Sequence, residues 1–308
     1  MGVPNLFYKI KPLIPRQLQL VLRRQLAQYK REMSADVWPI LPEAATPPQN
    51  WQGWPEGKRF GFVLTHDVEL QGGHDKILRL MRLEKELGFR SSFNLVPERY
   101  TISADVRAEL QGNGFEVGVH GIRHDGKLYA SRNEFLKRAR RINGYLQAWG
   151  ATGFRSPAMH HNLEWLHDLD IEYDASTFDT DPFEPQSEGV GTIFPFWVSG
   201  NNSHSGYMEL PYTLPQDHGL FIILQEKNVD IWKRKLDWIA ENGGMALLNV
   251  HPDYMNFNNG ELGREEFSAD LYREFLTYVK EKYAGEYWHA LPCEVARRMK
   301  VQEDITVL

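Results

Sequence analysis

From Arg59 onward the apolar positions follow two alternating periods. Short apolar runs at 59–65, 91–96, 116–119, 153–156, 173–176, 207–211 and 245–250 read as strands. Between them lie stretches with helical spacing. Residues 75–87 place Ile77, Leu80, Met81 and Leu87 on one face and stop at Gly88; a second helix runs from a Ser103 cap to Gly112. Further helices are predicted at 132–149, ended by Gly150, and at 163–169, 230–241 and 268–283. Alternating strand and helix units imply a parallel sheet. About seven such units in about 240 residues suit a closed (β/α) barrel better than an open sheet. An open dinucleotide-binding sheet would carry a Gly-rich turn after its first strand, and here that strand ends in Thr65-His66-Asp67-Val68-Glu69.

The first 58 residues have a different pattern and read as an arm before a main domain at 59–308. Residues 1–31 contain Lys9, Lys11, Arg16, Arg23, Arg24, Lys30 and Arg31 and no acid. After Pro15, Leu18, Leu22, Leu26 and Tyr29 share one helical face. Such a helix either packs its leucines on the main domain or lies on an anionic membrane surface, so peripheral membrane contact through residues 1–32 is one expectation. Residues 39–58, rich in Pro and Trp, read as a linker or covering loop.

Composition changes this picture little. The 308 residues are 42% hydrophobic and 25% charged, ordinary values for a globular chain. A net charge of −6 gives no reason to expect a nucleic-acid partner. The single cysteine, Cys293, excludes an intrachain disulfide and a cysteine-built zinc site. No apolar run approaches the length of a membrane span, and no signal-peptide core is evident, so the expected location is the cytoplasm, with the arm able to touch the inner membrane face.

The candidate chemistry gathers at strand ends. Asp67 and Glu69 follow the first strand, His120 and His124 the third, Arg155 the fourth, Asp174 the fifth and His251 the last. In a parallel barrel these ends share one rim, where active sites lie. If the turn after His120 is helical, His124 points the same way, as a divalent ion requires. Glu69 would make a two-histidine, one-carboxylate set. In an extended strand Asp67 and Glu69 face the same side, which leaves Asp67 free as a base beside the ligand. Taken singly these residues have plainer uses: a structural histidine pair, an Asp cap, a satisfied buried histidine.

Together they resemble the polysaccharide deacetylase (NodB-homology, carbohydrate esterase 4-like) family over roughly residues 59–292. Thr65-His66-Asp67 is similar to its first motif, His120 to His124 to its metal-binding His-x-x-x-His, and Arg155-Ser156-Pro157 to its Arg-x-Pro. Asp174 to Phe178 resembles its Asp-x-x-x-aromatic motif, and Leu247 to His251 its final strand ending in His. The resemblance implies a distorted (β/α)7 barrel that removes N-acetyl groups from an amino sugar or polysaccharide. It implies a divalent metal, zinc first, on Glu69, His120 and His124, with Asp67 as base and His251 as acid. It further implies that Arg155 orients Asp67, that Asp174 tunes His251, and that the Ala158 backbone N–H holds the oxyanion. The sequence departs from the usual form at Val68, where the family commonly has a second Asp that binds the metal, and Glu69 stands one residue later. Two other expectations stay open: a metal-independent amidohydrolase acting on a cyclic ureide, and a carbohydrate-binding pseudo-enzyme. With no export signal evident, a lipid-linked or nucleotide-linked N-acetyl sugar is the expected substrate. Tyr254, Phe257, Trp197 and Tyr212 either stack on sugar rings or pack in the core.

Overall fold

The central strand, β1 (Phe60–Val68), is buried at every position, as a strand covered on both faces must be. The computed structural model describes residues 15–49, 51–200, 206–258 and 260–306, with backbone alone for Arg16 and 301–306. In chain order, α1 (Arg16–Met33) precedes β1, which is followed by α2 (Ile77–Leu87), β2 (Ser92–Leu95), α3 (Ala104–Gly112), β3 (Glu116–His120) and α4 (Arg132–Trp149). Next come β4 (Gly153–Arg155), β5 (Tyr173–Asp174), β6 (Phe196–Ser199), β7 (Gly206–Glu209), α5 (Asp230–Asn242) and β8 (Met245–Val250). The chain finishes with β9 (Met255–Asn256), β10 (Phe267–Ser268), α6 (Ala269–Lys282), β11 (Tyr287–His289) and α7 (Pro292–Thr306).

Parallel pairing runs β8-β1-β2-β3-β4-β5-β7. The ring closes through an irregular seam. After β7, the Thr213 and Leu214 N–H groups both donate to the Leu247 carbonyl at 3.1 Å, and Leu214 faces Leu248 across an isolated bridge. Seven parallel strands with one irregular seam make the closed barrel that the alternating periods imply, in the distorted (β/α)7 form that the resemblance implies. Five elements were not read from the pattern. β6 pairs antiparallel with β7, β9 pairs with β10, β11 lies along the first residues of β1, and α7 ends the described chain. The run at 163–169 forms only a 3-10 turn at Trp165–Asp168; under two turns of apolar residues cannot hold an α-helix.

The period of two divides two cores. Val63, Tyr173, Ala175, Met208, Met245 and Leu247 pack inside the barrel. Their strand neighbours Phe62, Leu64, Phe154, Tyr207, Ala246 and Leu248 pack outward under the helices. Residues 39–58 run beside the amino ends of the strands. Trp54 donates from Nε1 to the Gly243 carbonyl at 2.8 Å, and its ring lies so close to Gly61 that a Cβ there would come within 2.7 Å of it.

The arm is tied to the barrel by a buried ion pair. Lys235 Nζ lies 2.5 Å from Asp179 Oδ2 and donates to the Pro39 carbonyl. Lys235→Met strands the Asp179 charge in the core, so it is expected to lower the unfolding free energy by about 3–5 kcal/mol. Urea unfolding measures this, and adding Asp179→Asn should recover much of the loss.

Candidate active site

Alternation along β1 and β8 carries polar groups to the rim. Thr65 and Asp67 continue the inward face of Val63, and Asn249 and His251 continue that of Leu247. Asp67 Oδ1 accepts from Asn94 Nδ2 and its Oδ2 from Asn249 Nδ2, both at 2.9 Å. Asn94 can lean towards Asp67 because its β3 neighbour is Gly118, where a Cβ would meet Asn94 Oδ1 at 2.2 Å. Arg155 is fully buried, with Nε 3.6 Å from Asp67 Oδ1 and Nη2 donating to Thr65 Oγ1 at 3.0 Å. Burial opposes charge on Asp67, but His120, Arg155, His251 and the Asn94 bond overcome it. The carboxyl therefore lies below the ordinary carboxylate range.

Two histidines and a glutamate converge beside this group. The ligand atoms of Glu69, His120 and His124 lie within 4.8 Å of one another, the group among the described residues with the spacing of a metal site. The turn after β3 is not helical, as the spacing suggested. Gly121 (φ 59°) and His124 (φ 51°) adopt left-handed backbone instead, and that reversal brings His124 back beside His120. Val68 points outward into the core and is fully buried, so only Glu69 can serve at the end of this strand.

The donor set fits a divalent ion. His120 Nδ1 lies 3.1 Å from the Arg155 carbonyl and must donate to it, which leaves Nε2 as a lone pair. Nε2 of His120 and Nε2 of His124 are both buried without a hydrogen bond, a cost that a bound cation would remove. Burial pushes the His120 pKa down to about 4, so the ring is neutral, as a ligand must be. Glu69 Oε1 is 2.8 Å from His124 Nε2. Burial works against the Glu69 charge, yet contact with His124 holds its carboxyl far below the usual range.

What holds Glu69 left no mark in the residue pattern. Its backbone N–H donates to Asp253 Oδ2 at 2.8 Å and that of Leu70 to Asp253 Oδ1 at 2.9 Å. Gly73 leaves room for this carboxylate; a Cβ there would lie 2.3 Å from it. Asp253→Ala should loosen Glu69 and weaken metal retention by about 10–100-fold, the usual cost of losing an outer partner. Competition against a chelator checks this.

His251 has a different partner from the one expected. Its Nδ1 lies 2.7 Å from Asp217 Oδ1, and its backbone N–H donates to Asp217 Oδ2 at 2.8 Å. Burial alone would lower the His251 pKa, but Asp217 outweighs it and pushes the group up to about 10. Asp174 cannot take this role. Tyr173 and Ala175 fill the barrel interior, so Asp174 between them faces the outer layer, in register with Glu209 on β7. There its carboxylate accepts from the Ser176 hydroxyl at 2.7 Å and the Ser176 N–H at 3.0 Å.

Ala158 lies beyond Arg155 with φ 54°, followed by Met159 at φ 53°. Left-handed backbone costs a non-glycine residue roughly 1–2 kcal/mol. With His124, that puts three strained residues around one rim, as functional sites often do. Of the four aromatics, Tyr254 stacks between His251 and His218, at 5.3 and 5.0 Å between ring centres. Tyr212 is core and donates to Asp181 at 2.9 Å. Phe257 packs under Arg79 and Trp197 under Lys300, on β6.

The fold is a distorted (β/α)7 barrel of the NodB type. Solved structures agree. A protein from Mycobacterium smegmatis described as a polysaccharide deacetylase is similar at 19% identity and a TM-score of 0.64, over 84% of this chain and 96% of that one. The PuuE allantoinase follows at 17% and 0.57, over 83% and 94%. A protein from Pseudomonas aeruginosa PAO1 described as a polysaccharide deacetylase gives 16% and 0.55, over 82% and 94%. At such identities the likeness is one of fold. No protein-family model and no curated protein matches the chain.

Proposed function

We propose that this chain is a metal-dependent hydrolase that removes the acetyl group from an N-acetylated amino sugar. The observation that carries the reading is the pair of buried, unbonded Nε2 atoms of His120 and His124 facing Glu69, beside an ionised Asp67. A divalent ion held there, zinc being the best match to two imidazoles and a carboxylate, would polarise the amide carbonyl and lower the pKa of water. Asp67 takes the proton from the attacking water, since Asn94, Asn249 and Arg155 fix its carboxylate and favour its charge. The Ala158 N–H is the candidate donor to the oxyanion. His251, kept protonated by Asp217, gives its proton to the departing amine.

Acetate release from N-acetylated sugars, measured with metal content, tests the reading. Activity should need about one equivalent of metal, and His120→Ala should lose both, at a cost beyond the roughly 100-fold typical of outer partners. A metal-free protein that stays active after chelation, and hydrolyses a cyclic ureide, would move the reading to a metal-independent amidohydrolase.

A further inference from the structure

We infer that the outward face of α1 seats this protein on an anionic lipid surface, with the catalytic rim turned towards it. α1 does dock on the barrel, but by Leu20 and Ala27 and not by Leu18, Leu22 and Leu26. Leu20 and Ala27 are buried, and the basic and polar side chains do the tethering. Arg24 donates to the Ile222 and Arg264 carbonyls at 3.0 and 3.2 Å, Lys30 to that of Pro182 at 2.6 Å, and Arg31 pairs with Glu226 at 2.6 Å. Bonds to neutral carbonyls leave the Arg24 and Lys30 charges in place.

The other face is apolar and open. Leu18, Leu22, Leu26, Tyr29 and Met33 are 49, 46, 56, 61 and 66% exposed, and their spacing of three and four residues makes one stripe. Scattered exposed apolar residues need no explanation, but a continuous stripe marks an interaction surface. Val21 of α1 is exposed beside this stripe, and the other large apolar side chains exposed among the described residues, Leu70 and Leu262, belong to the same end of the molecule. Leu70 follows Glu69, and Leu262 is on the loop whose Arg264 holds α1. α1 also walls a crevice with Gln216 and His218, which flank the Asp217 that holds His251. The exposed apolar surface and the chemistry therefore share one rim.

Charge selects the occupant. All 41 acidic residues of the chain come after residue 31, while seven of its 35 basic residues come before. Residues 1–14 lead into the stripe with Leu6, Phe7, Tyr8 and Ile10 interleaved with Lys9 and Lys11; they lie outside the described residues, as does the Arg16 side chain. An apolar stripe joined to a cationic segment suits an anionic bilayer, where buried apolar area and electrostatic attraction add. A second copy would bring two cationic arms together.

The test is co-sedimentation of the full chain with phosphatidylcholine vesicles, with and without about one-third phosphatidylglycerol. We expect binding to the anionic vesicles, weakened by salt, and a fall of about tenfold or more in Leu22→Glu/Tyr29→Glu. Both positions are exposed, so folding and acetate release from a soluble sugar should be unchanged. This surface goes beyond the deacetylase reading, and vesicle binding stands or falls whatever the activity proves to be. No binding at low salt, or binding that survives the double substitution, would overturn the inference. So would a dimer in sedimentation velocity that the same substitutions dissolve.

Discussion

Asp67→Asn is expected to lower acetate release by about 10³-fold while metal content stays unchanged, the scale on which a positioned base contributes. Asn fills the same space and can still accept from Asn94, so the fold should not change. What disappears is the charge. In the parent protein that charge persists inside the barrel because Arg155 and two amides surround it, and it is the group at the rim able to receive a proton at neutral pH. The measurement is kcat for acetate release alongside stoichiometric metal analysis. A loss of metal in Asp67→Asn would make Asp67 a ligand and not a base, and activity within tenfold of the parent would place the base elsewhere.

Asp217→Asn should move the alkaline limit of activity downward. His251 is raised to about 10 from an ordinary value near 6.5 because Asp217 outweighs the cost of burial. With a neutral partner the largest opposing influence on burial is gone, Glu69 and Asp67 alone still favour the charge, and the pKa falls towards the uncharged ring that burial favours. Between those two values the parent keeps a protonated acid and the variant does not, so at neutral pH and above the variant should fall by about 10²-fold or more. The stability linkage has the same sign. A raised histidine contributes stability that is fully present below its unfolded pKa and lost as pH rises through the folded one. The parent's advantage over the variant in urea should therefore shrink as pH climbs from near 7 towards about 10. A pH–kcat/KM profile unchanged by Asp217→Asn would remove Asp217 from the role given to it here.

The sequence revealed the barrel because its strands and helices keep their own periods, and because caps mark the ends. Ser103 accepts from the Val106 N–H, and Gly150 closes α4 in left-handed geometry. The rim was legible for the same reason. Asp67, His120, Arg155 and His251 each end or follow a strand that can be recognised by itself. Asp217 could not be found that way. It follows the irregular seam at 212–214, which bonds to β8 without forming a regular strand, so no strand end pointed to it. Asp174 misled for the converse reason. It ends a strand, but β5 holds only two residues, too few for alternation to reveal which one faces inward. Asn94 and Asn249 did leave a signal: each is an uncharged polar residue inside an otherwise apolar run, aligned with the inward positions of its strand. For α1 the leucine face was legible, but the way the helix is tied to the barrel was not, since arginine and lysine reaching for barrel carbonyls leave no periodic trace.

Because Asp67 and Glu69 extend from one face of the most heavily paired strand, the proposed base and the proposed ligand form a single mechanical part. β1 is bonded to β2, β8 and β11, and a slip of one residue would carry both groups about 3.3 Å along the axis and turn them to the opposite face. His124, by contrast, depends on a loop with left-handed residues that can be reshaped alone, while His120 ends β3. A change in this lineage that preserved chemistry while altering metal preference would be expected at the turn from Gly121 to His124, whereas an insertion or deletion within 60–68 would disable both functions at once.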